Sequence, residues 1–341
     1  MKYSAMRREL IELYSMMLRI RAFEDAAEAA SQGGVAAWGQ STSTLAAKVR
    51  GPLHLSTGQE AVAAGVCANL RNTDLITSTH RGHGHTLAKG ADPYRMMAEL
   101  FGRADGYNQG KGGSMHIADF SVGMLGSNGV VAAGMPIAVG AAHAIKLRPG
   151  DERVVVCFFG DGAINRGPFL ETLNWAKVYH LPVFFVCEDN AYAATTRSSA
   201  VTAGTGVCER ARGIGIDFQS IDGNDVEAVD QASAQLLGAI RQGDGPLLLH
   251  AKTYRFKGHV SVDPAAYREQ SEVALAKSAD PILLAVQRLI DRGVEPALIE
   301  RLKQEAEQEM SEALFKANHA AWPKPSDAYE HVQTSGAGQW F

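Results

Sequence analysis

Asp161 and Asn190 are the side chains best placed to do chemistry. The apolar run Val154-Val155-Val156-Cys157-Phe158-Phe159 leads into Gly160-Asp161-Gly162-Ala163, and Val183-Phe184-Phe185-Val186-Cys187 leads into Glu188-Asp189-Asn190-Ala191-Tyr192. The stretch between them reads as a helix. The carboxylate and the amide are therefore expected at the carboxyl ends of two parallel strands joined by one crossover, where open α/β sheets bind ligands. A carboxylate, an amide oxygen and nearby carbonyls are hard ligands of the kind magnesium takes. Glycines on both sides of Asp161 let a diphosphate come against the backbone, with a helix amino end behind it. The plainer alternative is a strand-loop-helix in which the aspartate caps the helix.

A second group follows a short strand over 74–78, in Thr79-His80-Arg81-Gly82-His83-Gly84-His85. His80, His83 and His85 invite a zinc reading, but the intervening glycines and the lack of a fourth ligand argue against it. An arginine with imidazoles suits a diphosphate and a carbonyl substrate better. His259, in Tyr254-Arg255-Phe256-Lys257-Gly258-His259, is the best acid/base candidate, because it sits in a loop after a strand and titrates near working pH. Its bland alternative is an exposed loop histidine. His116 is a weaker candidate of the same kind. Gly106-Tyr107-Asn108-Gln109-Gly110-Lys111-Gly112 is one residue short of a P-loop and lacks the hydroxyl after lysine. No Gly-x-Gly-x-x-Gly follows the first strand, so a nicotinamide site has little support.

Positioning these groups takes an alternating scaffold. Residues 4–31 carry helical periodicity through Leu10, Leu13, Met17, Ile20 and Phe23, and 32–52 reads as a loop. Helices are expected over 59–70, over 93–101 with Pro93 in the first turn, and over 132–147. The last is rich in small residues and suited to packing closely on another helix or a partner chain. The glycine-rich stretch 102–129 is too long for an ordinary connector and reads as a functional loop. Strand and helix then alternate through Ile221 to Leu247-Leu248-Leu249-His250-Ala251, and 280–318 reads as two amphipathic helices joined at Gly293. The pattern predicts an α/β fold with a mostly parallel sheet flanked by helices. One domain over 1–341 is expected, with an N-terminal helix over 4–31 and a C-terminal helical segment over 280–318.

Composition narrows the function classes. A chain of 341 residues is long enough for a full core. With 33 basic against 37 acidic residues the net charge is −4, so neither nucleic acid nor an anionic membrane is an expected partner. No apolar run is long enough to span a bilayer, and the start reads as polar helix rather than signal peptide. Cys67, Cys157, Cys187 and Cys208 are irregularly spaced, two of them inside expected buried strands, which points to a reducing cytoplasm.

Gly-Asp-Gly-Ala, this spacer and Asn-x-Tyr together resemble the thiamine diphosphate motif. His54-Leu55-Ser56-Thr57-Gly58-Gln59-Glu60-Ala61, Gly110-Lys111-Gly112-Gly113-Ser114-Met115-His116 and the segment ending in His259 extend the likeness. In that order the chain resembles the alpha subunit of the thiamine diphosphate-dependent component of 2-oxo acid dehydrogenase complexes. The segments 77–85 and 116–126 are most similar to the acetoin dehydrogenase branch.

The resemblance implies a thiamine diphosphate-binding fold. Asp161, Asn190 and the carbonyl of Tyr192 would hold a magnesium ion bridging the cofactor's diphosphate. Gly160, Gly162 and Ala163 would lie against that diphosphate, and His80 and Arg81 would contact it. Gly129 and Val131 would lie against the aminopyrimidine and the bent waist, unless they only form a tight turn. His259 would touch the cofactor and move a proton beside the substrate, with His83 as the second candidate. The pyrimidine-side glutamate belongs to a beta subunit in two-chain members, and no segment here resembles it. A heterotetramer of two alpha and two beta chains is expected.

The implied activity is cleavage of acetoin, or decarboxylation of a 2-oxo acid, with the acyl unit passed to a lipoyl acyltransferase partner. One alternative is a thiamine-dependent acyl-carbanion transferase or synthase working without a lipoyl partner. Another is a non-catalytic paralogue that binds a partner. The chain also departs from the family pattern. Asp189 replaces the first of two usual asparagines. Ser56-Thr57 replaces a larger aromatic and a valine, which would widen or re-polarise the substrate pocket. Val260 stands where mitochondrial relatives carry a phosphorylated serine, so no such switch is expected.

Overall fold

The computed structural model describes residues 9–31, 48–49 and 51–331. The first residues of the expected 4–31 helix and most of the 32–52 segment lie outside them. The described chain opens with α1 (Leu10–Ser31), α2 (Glu60–Cys67), β1 (Leu75–Thr77), α3 (His83–Ala88) and α4 (Pro93–Leu100). Next come α5 (Gly134–Lys146), β2 (Val155–Gly160), α6 (Gly167–Val178), β3 (Val183–Asp189) and the small hairpin β4 (Tyr192–Ala193) and β5 (Thr196–Arg197). The chain continues through α7 (Val207–Gly213), β6 (Phe218–Asp222), α8 (Val226–Ala239) and β7 (Leu247–Lys252). It closes with α9 (Gln270–Ser278), α10 (Pro281–Asp291) and α11 (Pro296–His319).

β2 and β3 form because continuous Val, Phe and Cys runs can bury both faces, as strands covered on two sides must. They lie in a five-stranded sheet of order β1-β2-β3-β7-β6, every pair parallel. Side chains alternate faces with period two. Val155, Cys157, Phe159, Val183, Phe185 and Leu248 pack with residues of α5, α6 and α7. Val154, Val156, Phe158, Phe184, Val186 and Leu249 pack with α2 and α8. Phe184 and Phe185 are fully buried on opposite faces, each stabilising the fold by roughly 1.5–3 kcal/mol.

Helix ends follow local chemistry. Asp225 accepts the amides of Glu227 and Ala228 at the start of α8, and Asp92 and Asp280 cap α4 and α10, each ahead of a proline in the first turn. Gly293 ends α10 in the left-handed conformation at φ 80°. The expected loop over 102–129 is irregular apart from two single 3₁₀ turns, Ser114–His116 and Phe120–Val122. The glycines of α3 do not break the helix but let it sit close, a Cβ at Gly84 falling 3.2 Å from Ile20 and 3.3 Å from Ser56. Among the described residues no helix is long and apolar enough to cross a membrane.

Candidate active site

The carboxyl ends of β2 and β3 open into a cavity of about 510 Å³ lined by Gly160, Asp161, Gly162, Ala163, Asn190 and Tyr192. Asp161 and Asn190 therefore share one cleft, because two parallel, adjacent strands end side by side. Asp161 is not the cap of α6. It opens a separate 3₁₀ turn, Asp161–Asn165, and α6 starts only at Gly167. The Ser198 hydroxyl donates to its carboxylate. Burial, and then the Asp189 carboxylate, push the Asp161 carboxyl up to about 7. Burying the Asp161 carboxylate is costly, and a cation bound beside it would offset that cost.

Asn190 is fixed at both ends. Its Nδ2 donates to Gln59 at 3.1 Å, and its Oδ1 accepts the Tyr192 amide at 3.1 Å. The Tyr192 hydroxyl donates to Glu272 at 3.0 Å, and the residue lines the cavity. Ala193 approaches so closely that a Cβ at Gly162 would lie 3.0 Å from its own, which explains the glycine after Asp161.

The same cavity is lined by His54, His80 and His259, whose candidate ligand nitrogens all lie within 4.8 Å of one another. Arg81 lies among them, its Nη1 donating to the Leu55 carbonyl at 2.8 Å and its Nη2 to the His259 carbonyl at 2.9 Å. Burial first, and the Arg81 guanidinium second, hold His54 down to about 3, His80 to about 2 and His259 to about 4. Burial also draws Arg81 down to about 9, still charged at neutral pH. Two buried guanidiniums, Arg81 and Arg255, oppose a cation among these rings and favour an anion. His54 Nδ1 is buried without a hydrogen-bond partner, an arrangement an anionic oxygen would complete. The cavity thus brings together anion donors and oxygen ligands, a donor set that fits a diphosphate bridged by a divalent cation.

Gly129 and Val131 also line the cavity, and the turn they form leads into α5. His83 is placed elsewhere. It is fully buried, Nδ1 bonded to Glu24 at 2.9 Å and Nε2 to Ser114 at 3.0 Å, and it does not line the cavity. His85 turns to Ser78 and Glu188 and stacks on Phe158 at 3.8 Å. His116 is exposed, its ring beside Gly129. Ser56 and Thr57 do not line the cavity. Both are buried outside its lining, and Ser56 donates to Glu24 at 2.6 Å.

Sequence reasoning missed His54, Gln59, Arg255 and Ser198 as site residues. The first two belong to the 54–61 motif, whose length was the only signal. What brings that segment in is Gly58: at φ 99° with Tyr254 O only 2.4 Å from a Cβ position, it lets the 54–58 and 254–259 segments touch.

The description "Dehydrogenase E1 component" belongs to a family model that matches residues 40–326. The alpha subunit of acetoin:2,6-dichlorophenolindophenol oxidoreductase from Bacillus subtilis (strain 168) is 38% identical over 95% of this chain and 93% of its own. The protein of the same description from Cupriavidus necator is 41% identical over 84% of this chain and 86% of its own. The pyruvate dehydrogenase E1 component subunit alpha of Zymomonas mobilis subsp. mobilis is 38% identical over 97% and 90%. Matches of this extent, on a parallel sheet with this cleft, place the chain in the dehydrogenase E1 component family, whose membership implies use of thiamine diphosphate.

Proposed function

We propose that this chain is the diphosphate- and cation-binding half of a two-chain enzyme that cleaves acetoin or decarboxylates a 2-oxo acid. The observation that carries this is that Asp161 and Asn190 line one cavity together with His54, His80, Arg81 and His259. Bound thiamine diphosphate supplies an electron sink for breaking a carbon–carbon bond. Asp161, Asn190 and the Tyr192 carbonyl would hold magnesium. His80, Arg81 and His54 would receive the diphosphate, with Gly160, Gly162 and Ala163 allowing its approach. Gly129 and Val131 would bear on the ring portion. His259 is the residue that moves a proton at the substrate oxygen. His83, locked between Glu24 and Ser114, is assigned a structural place.

A beta chain would complete the site. The cavity carboxylates are Asp161 and Glu188, and Glu188 is held by His85 at 3.2 Å. α5 and α6 expose Ile137, Leu170, Trp175 and Val178, apolar surface suited to a partner subunit in a two-alpha, two-beta assembly. The acyl unit would pass to a lipoyl acyltransferase. Four free thiols support a reducing, cytoplasmic setting.

The test is reconstitution with the beta chain and a panel of acetoin, pyruvate and branched 2-oxo acids, read by artificial electron acceptor reduction and by acylation of lipoamide. Turnover of one panel member only when both chains are present is expected. Turnover without lipoamide acylation would favour the synthase-like alternative. Normal turnover by this chain alone, or no binding of thiamine diphosphate beside the beta chain, would overturn the proposal.

A further inference from the structure

Asp189 ends β3 immediately before Asn190, where the family pattern has an asparagine. Its Oδ1 accepts the Ala191 amide at 3.1 Å and its Oδ2 meets His250 Nε2 at 2.8 Å. His250, on neighbouring β7, is itself tethered through Nδ1 to the Ser220 hydroxyl at 3.0 Å on β6. Three adjacent strands thereby brace a single carboxylate.

What that carboxylate braces is strained. Ala191 is left-handed, at φ 66°, a conformation unfavourable to a residue with a Cβ. The Asp189 turn over the Ala191 amide stabilises it, and Asn190 repeats the same turn over the Tyr192 amide at 3.1 Å. The Ala191 carbonyl then accepts the Ser198 amide at 2.9 Å, and the Ser198 hydroxyl returns to Asp161. Asp189 thus stands at the head of the chain of contacts that sets both proposed cation ligands. Its own charge is held by His250 outside the cavity, which it does not line.

We propose that Asp189, clamped by His250, is the positioning residue that holds the 190–192 loop in the shape presenting Asn190 and the Tyr192 carbonyl to a divalent cation. This rests on the assignment of Asp161 and Asn190 as cation ligands. The clamp acts through geometry, so the oxygen over the Ala191 amide matters more than the charge.

Binding of Mn²⁺, followed by electron paramagnetic resonance on the reconstituted two-chain enzyme with thiamine diphosphate, tests this without using turnover. D189A, which removes the turn, is expected to bind Mn²⁺ at least ~10-fold more weakly, the size typical of residues that orient metal ligands. D189N keeps the accepting oxygen and is expected within about threefold of wild type by the same reasoning. H250L leaves the turn but frees Oδ2, and is expected to weaken binding by at least about threefold with a broadened spectrum. Wild-type affinity and spectrum in either folded variant, D189A or H250L, would overturn the clamp. Equal losses in D189N and D189A would overturn the geometric role in favour of charge. If wild-type enzyme itself fails to bind Mn²⁺ with the cofactor, the assignment of Asp161 and Asn190 falls instead.

Discussion

The Arg81 guanidinium spans His259, with Nη2 2.9 Å from its carbonyl oxygen and 3.1 Å from its Nδ1. A guanidinium can only donate, so Nδ1 accepts and the neutral ring carries its hydrogen on Nε2. Arg81 therefore sets both the orientation and the tautomer of the proposed proton-transfer group. His259→Ala is expected to lower kcat of the reconstituted enzyme by about 10²–10⁴, with a smaller effect on KM. Arg81→Lys, lacking the fork, should lower kcat as well as cofactor affinity. A kcat within a few-fold of wild type in H259A would remove His259 from the chemistry.

Asp161→Asn keeps the side-chain shape and removes the charge. Cofactor binding with magnesium, measured by titration calorimetry, is expected to weaken at least ~10-fold, while the fold stays intact by circular dichroism. Chelating the metal from wild-type enzyme should reproduce the weakening, and D161N should show little further response. Unchanged affinity in D161N would place the cation elsewhere.

The three clustered imidazoles make the stability of this chain depend on pH. In the unfolded chain they take protons near 6.5, but in the fold only near 2 to 4. Between those values the unfolded state binds more protons, so stability falls as pH falls below 6.5 and is fully present above it. Melting temperatures from pH 7.5 to 5 should decline less steeply for a His54→Gln, His80→Gln, His259→Gln variant than for wild type. Equal slopes would mean that the rings are not held neutral.

Gly58→Ala should destabilise the chain by about 2–4 kcal/mol, combining backbone strain with overpacking. Its φ of 99° is unfavourable for alanine, and the new Cβ would lie 2.4 Å from the Tyr254 carbonyl. Gly204→Ala is the control: φ is 77°, but nothing lies within 4 Å, so about 1–2 kcal/mol is expected. Urea denaturation of the two variants should separate them. Equal costs would show that the close approach at Gly58 is easily relaxed.

Much of the sheet, and the placing of Asp161 and Asn190 at one end of it, is legible in the sequence. The continuous apolar runs Val154–Phe159 and Val183–Cys187 call for strands buried on both faces, and a helix-length spacer between them admits a right-handed parallel crossover. Those local facts alone put Asp161 and Asn190 at neighbouring strand ends. Only tertiary packing decided which imidazoles meet there. His80 and His83 sit three residues apart, yet α3 begins at His83 and turns that ring inward to Glu24, while His80 stays at the cavity. His54 and His259 arrive from distant segments through the close approach at Gly58. The buried lodging of Ser56 against Glu24, and the bracing of Asp189 by His250, likewise join residues that no short-range pattern relates. Periodicity records which face of an element is buried, whereas the meeting of loops depends on how whole elements pack, and that is set by contacts spread along the chain.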